Sequence, residues 1–122
     1  MNTAIIMLGS NVNAEVNIEL AKEKLSLEFD IEKESACIIS KPFGSHYVSD
    51  FCNKAVKLLS AETKEETIYM FKSIETELGR NPQSKESGII PIDIDLIFWN
   101  DVQVHPDYDR FDFVKKCIDE IK

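Results

Sequence analysis

Hydrophobic and polar positions follow two rhythms along this chain, and each change of rhythm falls at a turn signal. Residues 3–8 form a short apolar run closed by Gly9-Ser10-Asn11, the pattern of a buried strand ending in a turn. Ile18, Ala21, Leu25 and Phe29 then recur at helical spacing over residues 14–29, with Asn13 placed to act as N-cap. Residues 31–40 read as a second strand, whose Ala36-Cys37-Ile38-Ile39 run is expected in the core. A loop over 41–50 carries Pro42, Phe43 and Gly44, and residues 51–59 read as a third strand. Thr63 with Glu66 makes a capping box for a second helix, with Ile68, Phe71, Ile74 and Leu78 as its buried stripe and Gly79 at its end. After a polar loop over 80–90, Pro91 introduces Ile92-Asp93-Ile94-Asp95-Leu96-Ile97-Phe98, which alternates throughout. Its apolar face would hold Ile92, Ile94, Leu96 and Phe98. Asn100-Asp101 is a turn, and Val114, Cys117, Ile118 and Ile121 mark one face of a last helix.

The order β-α-β-β-α-β plus a C-terminal helix predicts an α+β, ferredoxin-like fold: an antiparallel sheet with helices on one face. In that topology the first and last strands are expected to be the central neighbours, which brings the Gly9-Ser10-Asn11 turn close to Asp93 and Asp95, with a ligand cleft over that face closed by the loops over 41–50 and 80–90. A length of 122 residues suits one domain over 1–122, with a single core.

Charge narrows the function classes. The net charge is −8 and Arg80 and Arg110 are the only arginines, so the basic footprint that nucleic acid requires is missing. No apolar run reaches membrane-spanning length, and no basic region precedes the short apolar stretch at the amino terminus. Cys37, Cys52 and Cys117 are odd in number and lack metal-like spacing, so buried thiols are expected. These features predict a cytoplasmic chain with no membrane or nucleic-acid partner.

Asp93 and Asp95 are the candidate chemistry. On a strand they point the same way and lie roughly 6.6–6.8 Å apart along the backbone, close enough to share one cation or a pair. The same alternation also describes an ordinary strand with a solvated face. The residues alone leave both readings open.

Four segments, in order, carry a resemblance. They are Leu8-Gly9-Ser10-Asn11, Phe51-Cys52-Asn53-Lys54-Ala55-Val56, Glu75-Thr76-Glu77-Leu78-Gly79-Arg80 and Pro91-Ile92-Asp93-Ile94-Asp95-Leu96-Ile97. Together the chain resembles the 6-hydroxymethyl-7,8-dihydropterin pyrophosphokinase (HPPK) family over about residues 3–99. The resemblance implies Mg²⁺-dependent transfer of diphosphate from ATP to a reduced pterin, a step of folate biosynthesis. It implies that Asp93 and Asp95 hold two Mg²⁺ ions and that Asn53 recognises the pterin. Phe51, Pro42, Phe43 and Gly44 would line the pterin pocket, while Glu75 and Arg80 would serve the phosphate side, with Arg80 counted among the catalytic residues. Lys72 and Lys85 are the further lysines available to ATP. Each residue also has an ordinary structural explanation: a backbone-bonded amide for Asn53, core packing for Phe51, an exposed helix carboxylate for Glu75, and a helix-end cation for Arg80.

The chain departs from the family pattern as well. Ile90 stands where the family signature has an arginine, and residues 81–87 replace a basic, tryptophan-containing loop. The family's Pro-His pair is inverted to His105-Pro106, which leaves the alignment beyond Trp99, and the role of Arg110, open. Two functions follow. The first is a diphosphotransferase; the alternative is a catalytically silent HPPK-like domain that binds a pterin or nucleotide, or an interaction module. The enzyme requires at least two basic groups converging near Asp93; the silent domain does not.

Overall fold

The computed structural model describes residues 1–42, 47 and 49–122, with Lys85 described by its backbone alone. The elements run β1 (Asn2–Ser10), α1 (Ala14–Glu28), β2 (Asp30–Glu34), β3 (Ile38–Ser40), β4 (Phe51–Ser60), α2 (Lys64–Glu77), α3 (Ser84–Ser87), β5 (Asp93–Trp99), β6 (Val102–Gln103), α4 (Asp107–Arg110) and α5 (Asp112–Ile121). Among the described residues the sheet has six strands in the order β2-β4-β1-β5-β6, with β3 also on β4. Every pairing is antiparallel. This is the predicted α+β arrangement: β1 lies at the centre of the order, flanked by β4 on one side and β5 on the other, with only the short β6 beyond β5.

Alternation along β1 builds two apolar layers. Ala4, Ile6 and Leu8 point to one face, where Ile18, Ala21 and Leu25 of α1 and Phe71 and Ile74 of α2 cover them. Ile5 and Met7 point to the other, where Val114, Cys117, Ile118 and Ile121 of α5 cover them with Ala55 and Ile97. A strand covered on both faces reads as a continuous apolar run, as residues 3–8 do.

The β5 alternation holds through Leu96 and then fails. Ile5 pairs with Phe98 while Ile6 pairs with Leu96, so Ile97 is the extra residue of a bulge. Phe98 therefore joins the α5-side layer instead of following Ile92, Ile94 and Leu96.

The strand expected over 31–40 divides at Ser35. Its N–H donates to Ala55 O at 2.9 Å and its Oγ accepts from Ala55 N–H at 2.9 Å, so one residue occupies both ladder groups of Ala55. Beyond this kink Ala36, Cys37 and Ile39 are exposed, which corrects the expected core run and leaves only Cys52 and Cys117 as buried thiols. Asn13 is not a side-chain cap. Its backbone is left-handed, with φ 43°, and its side chain makes no capping bond; Asn17 Nδ2 donates to Val12 O at 2.7 Å there.

In α2, Thr63 Oγ1 accepts from Glu66 N–H at 3.1 Å, as its capping role requires. The helix is turned slightly from the expected stripe, however: Thr67, Phe71, Ile74 and Glu75 are buried, while Ile68 and Leu78 are partly covered. Among the described residues no helix is long and apolar enough to cross a membrane.

Phe71 is fully enclosed and packs on Phe29 with ring centroids 5.7 Å apart. Phe71→Ala should lower stability by about 3–5 kcal/mol, read as a shifted midpoint in urea denaturation.

Candidate active site

The sheet has an open stretch along the outer edge of β5. β6 pairs only with Phe98 and Trp99, so the N-terminal half of β5 has no outer strand. Ile94 N–H points to that edge, where Glu75 Oε2 accepts it at 2.7 Å. The carboxylate thus stands in for a missing strand, and Glu75 is buried at 5% exposure, not solvated on its helix.

Gly79 aims the neighbouring cation. With φ 103° it ends α2 in a left-handed turn; Gly79 N–H donates to Thr76 O and Arg80 N–H to Glu75 O, each at 3.0 Å. That turn directs Arg80 back onto the sheet edge. Its Nη1 lies 2.5 Å from Asp93 Oδ1 and 3.4 Å from Glu75 Oε2. Lys72 Nζ reaches the same Glu75 oxygen at 3.3 Å. Two cations from α2 and its end therefore converge beside Asp93.

The aspartate pair is electrostatically split. Burial works against the Asp93 carboxylate, but the hydrogen bond and charge of Arg80, with a hydrogen bond from Asp95, hold its pKa below the ordinary value. Asp95 is pushed up to about 8, first by burial and then by the charge of Asp93 beside it. Burial also raises Glu75, outweighing its bond to Ile94 N–H and the charges of Lys72 and Arg80. The donor set fits Mg²⁺: two hard carboxylates side by side, one of them already drawing a cation onto itself.

A cleft of about 280 Å³ opens over Asp93 and Asp95, bordered by Gly9, Asn53, Phe51 and Tyr47. Asn53 Nδ2 donates to Ile38 O at 3.0 Å and to Ser40 Oγ at 2.8 Å. These acceptors fix the amide orientation, so Asn53 presents its oxygen to the cleft instead of both halves of the amide. A Cβ on Gly9 would meet that oxygen at 3.4 Å and the Phe51 ring at 3.9 Å, so glycine there keeps the cleft floor open.

The opposite wall corrects an expectation. Among the described residues the loop over 80–90 does not border this cleft; Asp107, Phe111, Phe113 and Val114 do. Phe111 and Phe113 stack with centroids 5.6 Å apart, and Tyr47 meets Phe51 edge-on at 5.3 Å. The sequence reading missed this wall, because the segment before α5 carries no periodic signal. A second cleft, bordered by Ile68, Lys72, Ile94 and His105, shares Asp95 with the first. Ligand atoms of Asp95, His105 and Asp107 lie within 4.8 Å of one another, a grouping that could also contribute to a cation site. The inverted His105-Pro106 order was the one available hint of it.

Of the other expected residues, Pro42 is half-buried at the start of its loop. Phe43, Gly44 and the side chain of Lys85 lie outside the described residues. Ile90 is buried at 4% exposure. Arg110 Nη1 lies 3.6 Å from Asp107 Oδ1, with its guanidinium 5.1 Å from the Phe111 ring, at the far wall of the cleft.

Comparison with known proteins finds three similarities. The family model for 7,8-dihydro-6-hydroxymethylpterin-pyrophosphokinase (HPPK) matches residues 5–122. The chain is similar to the 2-amino-4-hydroxy-6-hydroxymethyldihydropteridine pyrophosphokinase of Aquifex aeolicus (strain VF5), at 32% identity over 122 residues, covering 93% of this chain and 76% of that protein. Among solved structures, the C-terminal domain of the MgtC protein from Mycobacterium tuberculosis aligns with 79% of this chain and 87% of that one, at TM-score 0.43 and 11% identity.

Because Asp95 holds a proton near neutral pH where a free aspartate has lost it, cation binding must displace that proton. Mg²⁺ affinity in the presence of an ATP analogue should therefore rise with pH and level off above about pH 8. Calorimetry in buffers of different ionisation enthalpy should show proton release at pH 7 and little at pH 9.

Proposed function

The chain belongs to the 7,8-dihydro-6-hydroxymethylpterin-pyrophosphokinase family, and from that membership we propose that it transfers the β,γ-diphosphate of ATP to the hydroxymethyl group of a reduced pterin in folate synthesis. The convergence of Lys72 and Arg80 on Glu75, beside the Asp93–Asp95 pair, carries the reading. It supplies the two basic groups that a diphosphotransferase needs and a silent pterin- or nucleotide-binding domain does not.

The roles divide between the two clefts. Asn53 Oδ1 accepts a ring N–H of the pterin, and the aromatic groups at Phe51 and Phe113 offer faces for a flat heterocycle. The nucleotide occupies the second cleft, so that its phosphates meet the pterin hydroxymethyl at Asp95, which both clefts share. Asp93 and Asp95 would hold two Mg²⁺ ions, which would supply the positive charge that phosphoryl transfer requires. Arg80 and Lys72, which meet at Glu75 beside the pair, would face the phosphates. The hydroxymethyl oxygen gives up its proton to solvent and bonds to the β-phosphorus, the bond from that phosphorus to the α,β-bridging oxygen breaks, and AMP leaves. Phosphoryl transfer depends mainly on positioning and charge, which the converging cations and carboxylates supply.

The loss of the signature arginine at Ile90 is consistent with this reading, because Arg80, Lys72 and, at the far wall, Arg110 bring cations to the site from other elements.

AMP release from Mg·ATP and 6-hydroxymethyl-7,8-dihydropterin tests the proposal. The protein should release AMP, and Asp95→Asn should lower kcat by about a thousandfold or more, the scale of charge-stabilising groups in this chemistry, with the fold intact by circular dichroism. Pterin binding without AMP release would leave only the silent domain.

A further inference from the structure

Every polar group of Asn11, one residue beyond the end of β1, is committed to a segment that leads into the site. Its N–H donates to Ile90 O at 3.1 Å. Its side-chain Nδ2 donates to Gly88 O at 2.8 Å, and its Oδ1 accepts from Ile90 N–H at 2.7 Å. Its carbonyl accepts from Ser49 Oγ at 2.5 Å. Asn11 is 6% exposed, so these bonds are shielded from competing water.

The location gives the bonds their meaning. The β1–β4 ladder ends at Ser10↔Cys52 and the β1–β5 ladder at Gly9↔Asp93. Phe51 and Asp93 are thus the first residues of their strands, where pairing alone holds a side chain least firmly. Ser49 lies just before Phe51, and Ile90 just before Asp93. The side chain of one residue, with its main-chain N–H and C=O, therefore fixes both strand entrances together. We propose that Asn11 is a positioning residue for the transfer, holding the entrance to the pterin-facing strand and the entrance to the carboxylate strand in one geometry.

This inference rests on the diphosphotransferase reading. It also explains why asparagine is required: the position needs a donor toward Gly88 and an acceptor toward Ile90 from the same short side chain. Aspartate lacks the donor and would set a charge against the Gly88 carbonyl, while alanine leaves both buried backbone groups unpaired. Asn11 itself borders neither cleft, so its loss should disturb the alignment of reactants more than their affinity.

Steady-state kinetics of Asn11→Ala, Asn11→Asp and Ser49→Ala test the proposal, with folding followed by thermal denaturation. Asn11→Ala and Asn11→Asp should lower kcat by about 30- to 100-fold, as misplacement of reacting groups on the ångström scale does, while KM for ATP and pterin changes less than about threefold. Ser49→Ala keeps the Asn11 side chain and decides the matter if the Asn11 variants do not fold; kcat should fall severalfold at an unchanged melting temperature. Retention of wild-type kcat by the folded variants, or a loss that only tracks the unfolded fraction, would overturn the positioning role. Absence of AMP release from the wild-type protein would instead overturn the diphosphotransferase reading and the role with it.

Discussion

The guanidinium of Arg80 is the constraint on which the site depends. Glu75, Asp93 and Asp95 crowd the open edge of β5 in a chain of net charge −8, and their mutual repulsion would disperse them without a cation. One guanidinium nitrogen within reach of both Asp93 and Glu75 holds the group together. Its position follows from a helix terminator, since Gly79 turns the chain so that Arg80 doubles back onto the strand it serves. With Asp93 ionised beside Arg80, the proton of the pair settles on Asp95. The pair is thereby kept compact, with Asp93 ionised and the proton on Asp95.

The fold makes room for this cluster by dividing its apolar surface unequally. The face under α1 and α2 is closed, and it takes Ile92, Ile94 and Leu96 from β5. The other face is covered by α5 only in part, and Asp93 and Asp95 look into what remains open. β5 thus serves as a core strand on one side and presents its two carboxylates to the cleft on the other. The bulge at Ile97 ends this division, returning Phe98 to the α5-side core where it meets Tyr108 edge-on at 5.0 Å.

Much of this was legible in the sequence where a period or a spacing encodes it. The β5 alternation placed Asp93 and Asp95 on one face, and the Gly79 signal ended α2 beside Arg80. The ferredoxin-like order followed from the succession of elements. What escaped depends on single hydrogen bonds or on segments without periodicity. Ser35 breaks a strand through its hydroxyl, which no hydropathy pattern records. Glu75 is buried because an unpaired strand N–H needs it, although its charge suggests solvent. Phe111 and Phe113 line the far wall of the first cleft, and His105 lines the second, from a stretch whose spacing fits neither helix nor strand. Asn11 reads as an ordinary turn residue until its partners, about 40 and 80 residues away in the chain, are known.

The most direct test of the carboxylate platform is the number of Mn²⁺ ions, used in place of Mg²⁺, bound per chain in the presence of a non-hydrolysable ATP analogue and the pterin, counted by electron paramagnetic resonance. About two ions per wild-type chain, with the protein-bound signal lost in the Asp93→Asn/Asp95→Asn double variant, is the expected result for paired carboxylates that clamp a triphosphate. A stoichiometry unchanged in the folded double variant would contradict it.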